Sequence, residues 1–419
     1  SRKTIILFLI ICILGTAAQA AWRNGYNYRK QITFTSDTAK IPSTQDNFPA
    51  LISLSSDPGL AANAQDNGND IVFTGHDGVT KLDHEIEEFN GATGQIIAHA
   101  RVPSLSASSV IYMYYGANVN NQQNPSGVWD SYYKMVQHMD QDPSGTSPQM
   151  QDSTVNDNNG TSSGGMTSED KVPGSIGYGL DFDGTDDLIS VDPMFTNSLD
   201  QLSVETWVKF DSFPLISPSI NASAIVNIKD WWQQGKGFSM HYWVNQARLV
   251  VMDGVTGNAG THNAYGGTPT INVWYHFAGT YDGQYIRFYS DGQLIGSTPY
   301  TGQVVNPTNN VWIGRDTVNN MKMDGIIDEV RISTKGRSGD WVKASFSNQS
   351  TPNAFYSLGN EEALETMVGT PADWQWLSPT ENDAIRSGTP ADWSWKTFND
   401  DGTEITVPTG SAVEWEWYP

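Results

Sequence analysis

The sequence predicts an all-β protein: a small β-sandwich, then a jelly roll, then a short Trp-rich β repeat tail. Three observations predict it. Charged residues are only 16% of the 419-residue chain while aromatics reach 11% and Gly is abundant, a mixture that suits short strands and polar turns better than long helices. Apolar and polar residues alternate in short runs, and Asp-Gly pairs such as Asp282-Gly283 and Asp291-Gly292 stand between neighbouring runs, the strongest short-range hairpin signal. The length exceeds what one small core organises, so two or three domains are expected.

The elements follow in order. Arg2 and Lys3 precede the apolar run Ile5–Leu14, and Ala18-Gln19-Ala20 supplies the small residues of a signal-peptidase site. Residues 1–20 therefore read as a secretory signal cut before Ala21 or as a retained apolar segment, too short to span a bilayer, which takes about 20 residues. Export to the cell surface or the medium is the expectation. The single cysteine, Cys12, lies in this run, so the folded part has neither disulfides nor thiolate ligands.

Residues 21–128 read as the small sandwich, with strands at Gln31–Thr35, Ala50–Leu54, Ile71–Thr74 and Val110–Tyr115 and turn chemistry at Asp66–Asp70. The polar stretch Asn118–Gly127 marks its boundary. Residues 129–362 read as the jelly roll, with strands at Leu202–Phe210, Ala224–Ile228, Gly237–Val244, Ala247–Met252, Val273–Tyr281, Gln284–Ser290, Val311–Ile313 and Ile326–Ile332. Residues 363–419 carry a repeat: Gly369-Thr370-Pro371-Ala372-Asp373-Trp374-Gln375-Trp376 recurs 19 residues later as Gly388 to Trp395, and a degenerate copy, Gly410 to Trp417, follows 22 residues after that.

Several segments carry a family resemblance. Gly179-Leu180-Asp181-Phe182-Asp183-Gly184-Thr185-Asp186-Asp187, Leu202 to Val208, Trp274 to Gly283, Ile313-Gly314-Arg315 and the closing Asp324 to Ile332 fall in the order found in laminin-G-like, concanavalin-A-like jelly rolls. Trp22 to Lys30, His84-Glu85-Ile86-Glu87 and Ile111 to Gly116 resemble a β-domain family of unknown function, domain of unknown function 2341, that commonly precedes such a jelly roll. The Trp repeat lies outside both resemblances. The resemblance implies binding of glycans or proteins, often beside a calcium ion. In some bacterial loci the two-domain combination is associated with envelope proton-channel machinery, which implies an envelope complex as partner. Fold alone does not fix the function.

The candidate chemistry is sparse. Acidic residues outnumber basic ones 46 to 23, which repels phosphate backbones, so no nucleic-acid partner is expected. Asp152, Asn156 and Asn158 lie in an Asp- and Asn-rich run, and with Asp328 of the closing strand they form the leading calcium set, since calcium takes six to eight oxygens. An ordinary Asx-turn loop explains the same run equally well. Asp183, Asp186 and Asp187 read as turn chemistry. Glu85 and Glu87 share one strand face and come nearest to a catalytic carboxylate pair, but read as a solvated polar face. No glycosidase-type Glu-x-Asp-x-x-Glu segment occurs in the jelly roll, and neither a His-x-His nor a His-x-x-x-His pair occurs, so neither an enzyme nor a transition-metal site is expected.

Aromatic residues are the better binding chemistry, because flat rings stack on sugar faces. Trp231, Trp232 and Trp243 are the expected ligand contacts, with Tyr242 and Trp243 on opposite faces of their strand. Trp374, Trp376, Trp393, Trp395, Trp415 and Trp417 pair two apart and so form a candidate assembly surface. Two readings stay open: a non-catalytic exported protein that binds glycans or surface proteins, and a structural subunit of an extracellular filament or envelope assembly joined through its terminal segments.

Overall fold

A computed structural model describes residues 22–230, 235–305, 309–316 and 320–364, together with four two-residue strands further on. Residues Arg23–Glu362 form one compact unit. The protein is nearly all β, as expected. Among the described residues no helix is long and apolar enough to cross a membrane.

The first lobe is a two-sheet sandwich. Its five-stranded sheet runs in the order Tyr356–Ala363, Tyr28–Phe34, Val110–Tyr115, Val72–Thr74, Lys81–Leu82, and its three-stranded sheet in the order Gln45–Leu54, Gln95–Leu105, His84–Asn90. Alternation sends Ile32, Phe34, Phe48, Ile52, Phe73, Ile96 and Met113 into one core between the sheets.

The strand Tyr356–Ala363 comes from the far side of the jelly roll, and so does the helix before it. Ser338 caps that helix, Gly339–Ser350, by accepting from the backbone N–H of Trp341 at 3.1 Å. Trp341 meets Phe48 edge to face at 5.1 Å between ring centres, and Asn348 exchanges two hydrogen bonds with the backbone of Leu51. The range 129–362 assigned to the jelly roll from sequence thus includes a segment, residues 339–362, that packs on and extends the first lobe. The physical reason is the open edge of Tyr28–Phe34 and the apolar face around Phe48, both of which need a cover.

The jelly roll proper has two large sheets. The inner one runs Lys171–Pro173, Tyr178–Asp183, Asp324–Ser333, Leu202–Phe210, Trp274–Tyr281, Tyr285–Ser290, Gln293–Pro299, with Tyr133–Gln137 also pairing on Asp324–Ser333. The outer one runs Thr261–Tyr265, Gln246–Met252, Lys236–Trp243, Ile220–Asp230, Val311–Ile313, Leu188–Val191, Gly160–Ser163. Leu180, Val204, Val208, Ile327 and Ile332 of the inner sheet and Phe238, Met240, Tyr242, Leu249 and Ile313 of the outer sheet close the core between them.

The other face of the inner sheet is also covered. Trp207 points away from the jelly-roll core, is only 4% exposed, and packs with Leu51 and Ile97 of the three-stranded sheet and with Ile176. Its indole N–H donates to Gln349 Oε1 at 2.6 Å. The inner sheet is therefore a middle layer, with the first lobe on one side and the outer sheet on the other.

Beyond the compact unit, Trp376–Leu377 pairs with Ile385–Arg386, and Thr397–Phe398 with Glu404–Ile405.

Candidate functional site

The outer sheet's far side presents the aromatic chemistry. Along Lys236–Trp243, Tyr242 turns into the core, where it stacks on Phe213 at 4.0 Å, and Trp243 takes the opposite face. Strand pairing then aligns Tyr265, Arg248, His241 and Ala224 in one row across four strands. The Arg248 guanidinium carbon lies 5.7 Å from the Trp243 ring centre and 5.6 Å from that of Tyr265, cation–π distances on both sides. One terminal nitrogen donates to the Trp243 carbonyl at 3.3 Å, while the buried Nε has no hydrogen-bond partner. No ion pair is recorded for it among the described residues, and burial pulls its pKa below the usual arginine value. Tyr265 is 45% exposed, so the row opens to solvent at its rim. Further in, Ser239, Asn227 and His241 are buried and joined by hydrogen bonds through the Ser239 hydroxyl.

Trp231 and Trp232, expected beside Trp243, lie outside the described residues. So do Trp374, Trp393, Trp395, Trp415 and Trp417; Trp376 is described only as part of its two-residue strand.

Asp152, Asn156 and Asn158 come together, but as ties within a loop. One Asp152 oxygen accepts from the backbone N–H groups of Val136 and Thr154, both at 2.9 Å, and the other from the Thr154 hydroxyl and the Asn158 N–H. The side-chain amides of Asn156 and Asn158 donate to the carbonyls of Tyr133 and Lys134. Asp328 is held elsewhere: its Oδ2 accepts from the N–H groups of Ser175 and Ile176 at 2.8 and 2.9 Å. Of the four side chains expected as one calcium set, Asp152 and Asp328 thus accept from separate backbone N–H groups, while Asn156 and Asn158 donate to backbone carbonyls. Beside the loop lies an open polar pocket of about 300 Å³ lined by Asp157, Asn158, Asn159, Ser190 and Asp192.

The largest departure from the sequence reading is at Glu85 and Glu87. They do not form a solvated face. The strand His84–Asn90 carries a bulge, its register against Gln95–Leu105 slipping between Ile86 and Glu88, so that Glu87 is the extra residue. Across the seam, Asp324–Ser333 is bulged too: its register against Leu202–Phe210 slips so that Glu329 and Val330 both stand opposite Thr206, and Glu329 has φ +56°. His138 comes between the two bulges, followed by Met139 at φ +61°.

The contacts in this seam are dense. His138 Nδ1 lies 2.7 Å from Glu329 Oε1 and 3.4 Å from Glu87 Oε1, and His138 Nε2 lies 3.1 Å from Glu85 Oε1. Glu85 Oε1 also accepts the Trp129 indole N–H at 2.8 Å. Arg331 donates twice to Glu329 Oε2, at 2.5 and 3.0 Å, and its Nη2 lies 3.1 Å from His99 Nε2. His99 Nδ1 is 2.7 Å from Glu87 Oε1, and none of these side chains exceeds 6% exposure.

Burial and charge divide the protons unevenly. Burial alone would lower His138, yet Glu329, Glu87 and Glu85 hold it well above the usual histidine value. Burial, reinforced by Glu329 and Glu85, pushes Glu87 well up. Burial would raise Glu329 too, but His138 and Arg331 hold it far below the carboxylate range. Burial and then Arg331 push His99 down to about 3. Sequence spacing does not show this site because His99 lies within the strand Gln95–Leu105 and His138 just after the strand Tyr133–Gln137, far apart in the chain. The available signal was the acidic run His84 to Glu88, which carries the first bulge.

With this geometry in hand, comparison with known proteins gives the class. Residues 183–343 match the family model described as the concanavalin A-like lectin/glucanases superfamily. That segment is a laminin-G-like, concanavalin A-like jelly-roll domain. Comparison with curated proteins finds no match. Among solved structures, the chain is similar to the botulinum neurotoxin serotype D ligand binding domain in complex with N-acetylneuraminic acid, at 17% identity and TM-score 0.39, over 52% of this chain and 51% of that one. It is similar to the binding domain of Paraclostridial Mosquitocidal Protein 1, at 14% identity and TM-score 0.39, over 51% and 52%. Domain 4 of AbnA, a GH43 extracellular arabinanase from Geobacillus stearothermophilus, in complex with arabinotriose, matches at 20% identity and TM-score 0.35, over 51% of this chain and 98% of that one. The chain spans about half the length of the first two.

Proposed function

We propose that this is an exported, non-catalytic, lectin-like protein whose outer jelly-roll sheet binds glycans that carry a carboxylate. The observation that carries the reading is Arg248, a guanidinium held between Trp243 and Tyr265 with a buried Nε that has no hydrogen-bond partner. A ring on each side gives a sugar an apolar face to stack on, and the guanidinium fork matches a planar carboxylate bidentately. The concanavalin A-like family match supports a binding role. A non-catalytic role agrees with Glu85, Glu87 and Glu329, which meet His138, Arg331 and Trp129 in a buried seam.

The test is a glycan array with the purified chain, run beside Arg248→Ala and Trp243→Ala. Signal on uronic or sialic acid glycans that drops at least about tenfold in both variants is expected. Equal signal on neutral and acidic glycans, or retention of acidic binding in Arg248→Ala, would overturn it.

A further inference from the structure

We infer that Glu87, His138 and Glu329 form a structural binding site for a divalent first-row transition-metal ion at the seam between the two lobes. Their ligand atoms, Glu87 Oε1, His138 Nδ1 and Glu329 Oε1, converge from three separate strands or turns and lie within 4.8 Å of one another. The backbone bends to bring them there. Glu87 and Glu329 are both bulge residues, one in each lobe, and bulges commonly re-aim a side chain at a site.

A second observation is independent of the clustering. Glu87 Oε1 is buried, with His99 Nδ1 at 2.7 Å and His138 Nδ1 at 3.4 Å, and neither contact has hydrogen-bond geometry. An oxygen so placed, beside a second carboxylate and an imidazole, is one that a bound cation would satisfy.

Each of the three side chains also has a buried supporting partner, as metal ligands characteristically do. His138 Nε2 faces Glu85, which is itself anchored by the Trp129 indole. Glu329 receives two bonds from Arg331 on the oxygen it does not turn toward His138. His99 stands 2.7 Å from Glu87; Arg331 donates to its Nε2, which places the proton of the neutral ring on Nδ1, facing Glu87. His99 is thereby a positioning residue and not a ligand.

The donor set fixes the class of ion. One imidazole and two carboxylates, without thiolate, suit zinc or manganese better than copper(I), and an imidazole ligand disfavours calcium and magnesium. An entry path exists: a pocket of about 100 Å³ opens beside Glu87, lined also by Asp140, Lys171 and Tyr178.

Elemental analysis of the full chain after dialysis into Zn²⁺ or Mn²⁺ tests this, with titration calorimetry for affinity. About one equivalent of metal per chain is expected, together with a rise in melting temperature that chelator reverses and Ca²⁺ does not reproduce. Glu87→Gln, which keeps the shape of the side chain, should lose the equivalent. Glu85→Gln should bind about 10- to 100-fold more weakly while melting like the metal-free wild type. Absence of a stoichiometric equivalent in wild type would overturn the proposal. So would equal uptake by Glu87→Gln, which would assign the metal to surface carboxylates and leave the seam a proton-neutralised ion network.

Discussion

The two sheets of the jelly roll obey the same alternation, one side chain to the core and the next away from it, yet their far faces have opposite characters. On the outer sheet the residues turned away from the core include Trp243, Arg248 and Tyr265, and a guanidinium rests between two rings beside solvent. On the inner sheet they include Trp207, Glu205, Glu329 and Arg331, all at most 4% exposed beneath the first lobe. The first face opens to water at its rim, where Tyr265 is 45% exposed. On the second, every charge needs a protein partner or a bound cation. A polar residue pointing out of a strand is thus a surface residue or the centre of an ion network according to what covers the sheet.

The largest test of that contrast uses one residue type on both faces. Arg331→Ala removes both bonds to Glu329 Oε2 in the buried seam and should cost about 3 to 5 kcal/mol in urea unfolding, whereas Arg248→Ala should cost under about 1 kcal/mol. Similar costs for both would break the comparison.

A smaller effect sharpens it through pH. His276 lies on the buried face between Trp207 and Phe346, and burial, then the Arg331 charge, lowers its pKa to about 3 from the ordinary 6.5. The unfolded chain takes that proton first, so the stability present above pH 6.5 is lost as pH falls toward 3. Between pH 6.5 and 5 wild type should lose about 2 kcal/mol that His276→Phe does not, measured as urea midpoints. Parallel pH profiles would show that the imidazole is not kept neutral by its cover.

The smallest expected effect is on the open face. Tyr265→Ala should change stability by less than about 0.5 kcal/mol, since the side chain is 45% exposed, while weakening acidic-glycan binding several-fold. A large loss of stability there would mean that the ring is structural.

Much of the fold was legible. The strands Leu202–Phe210, Val110–Tyr115 and Val311–Ile313 have the bounds that alternation predicts, and both Asp-Gly turns join neighbouring strands. Local pattern carries that information because core burial enforces a period of two. The seam was not legible, because its partners are far apart in the chain: Glu87 and Glu329 meet only after both lobes have folded. Asp328, the residue that the sequence reading places in a cation set, and its neighbour Glu329 point to different surroundings because of the bulge. One extra residue in the strand turns Glu329 toward His138, while Asp328 answers to the backbone of Ser175 and Ile176. The helix Gly339–Ser350 was also missed, since its buried face mixes Trp341, Val342 and Ala344 with Asn348 and Gln349 and carries no simple apolar stripe.

The return of Tyr356–Ala363 to the first lobe has a consequence for biogenesis. In topological terms the jelly roll is an insertion within the first sandwich, so the lobe begun first is finished last. While the ribosome is still making the jelly roll, the strand Tyr28–Phe34 has no neighbour on one edge and Phe48 no Trp341 against it. A nascent chain halted before residue 339 would therefore display a bare strand edge and an uncovered aromatic patch, the features that holding chaperones recognise and that promote mispairing between copies.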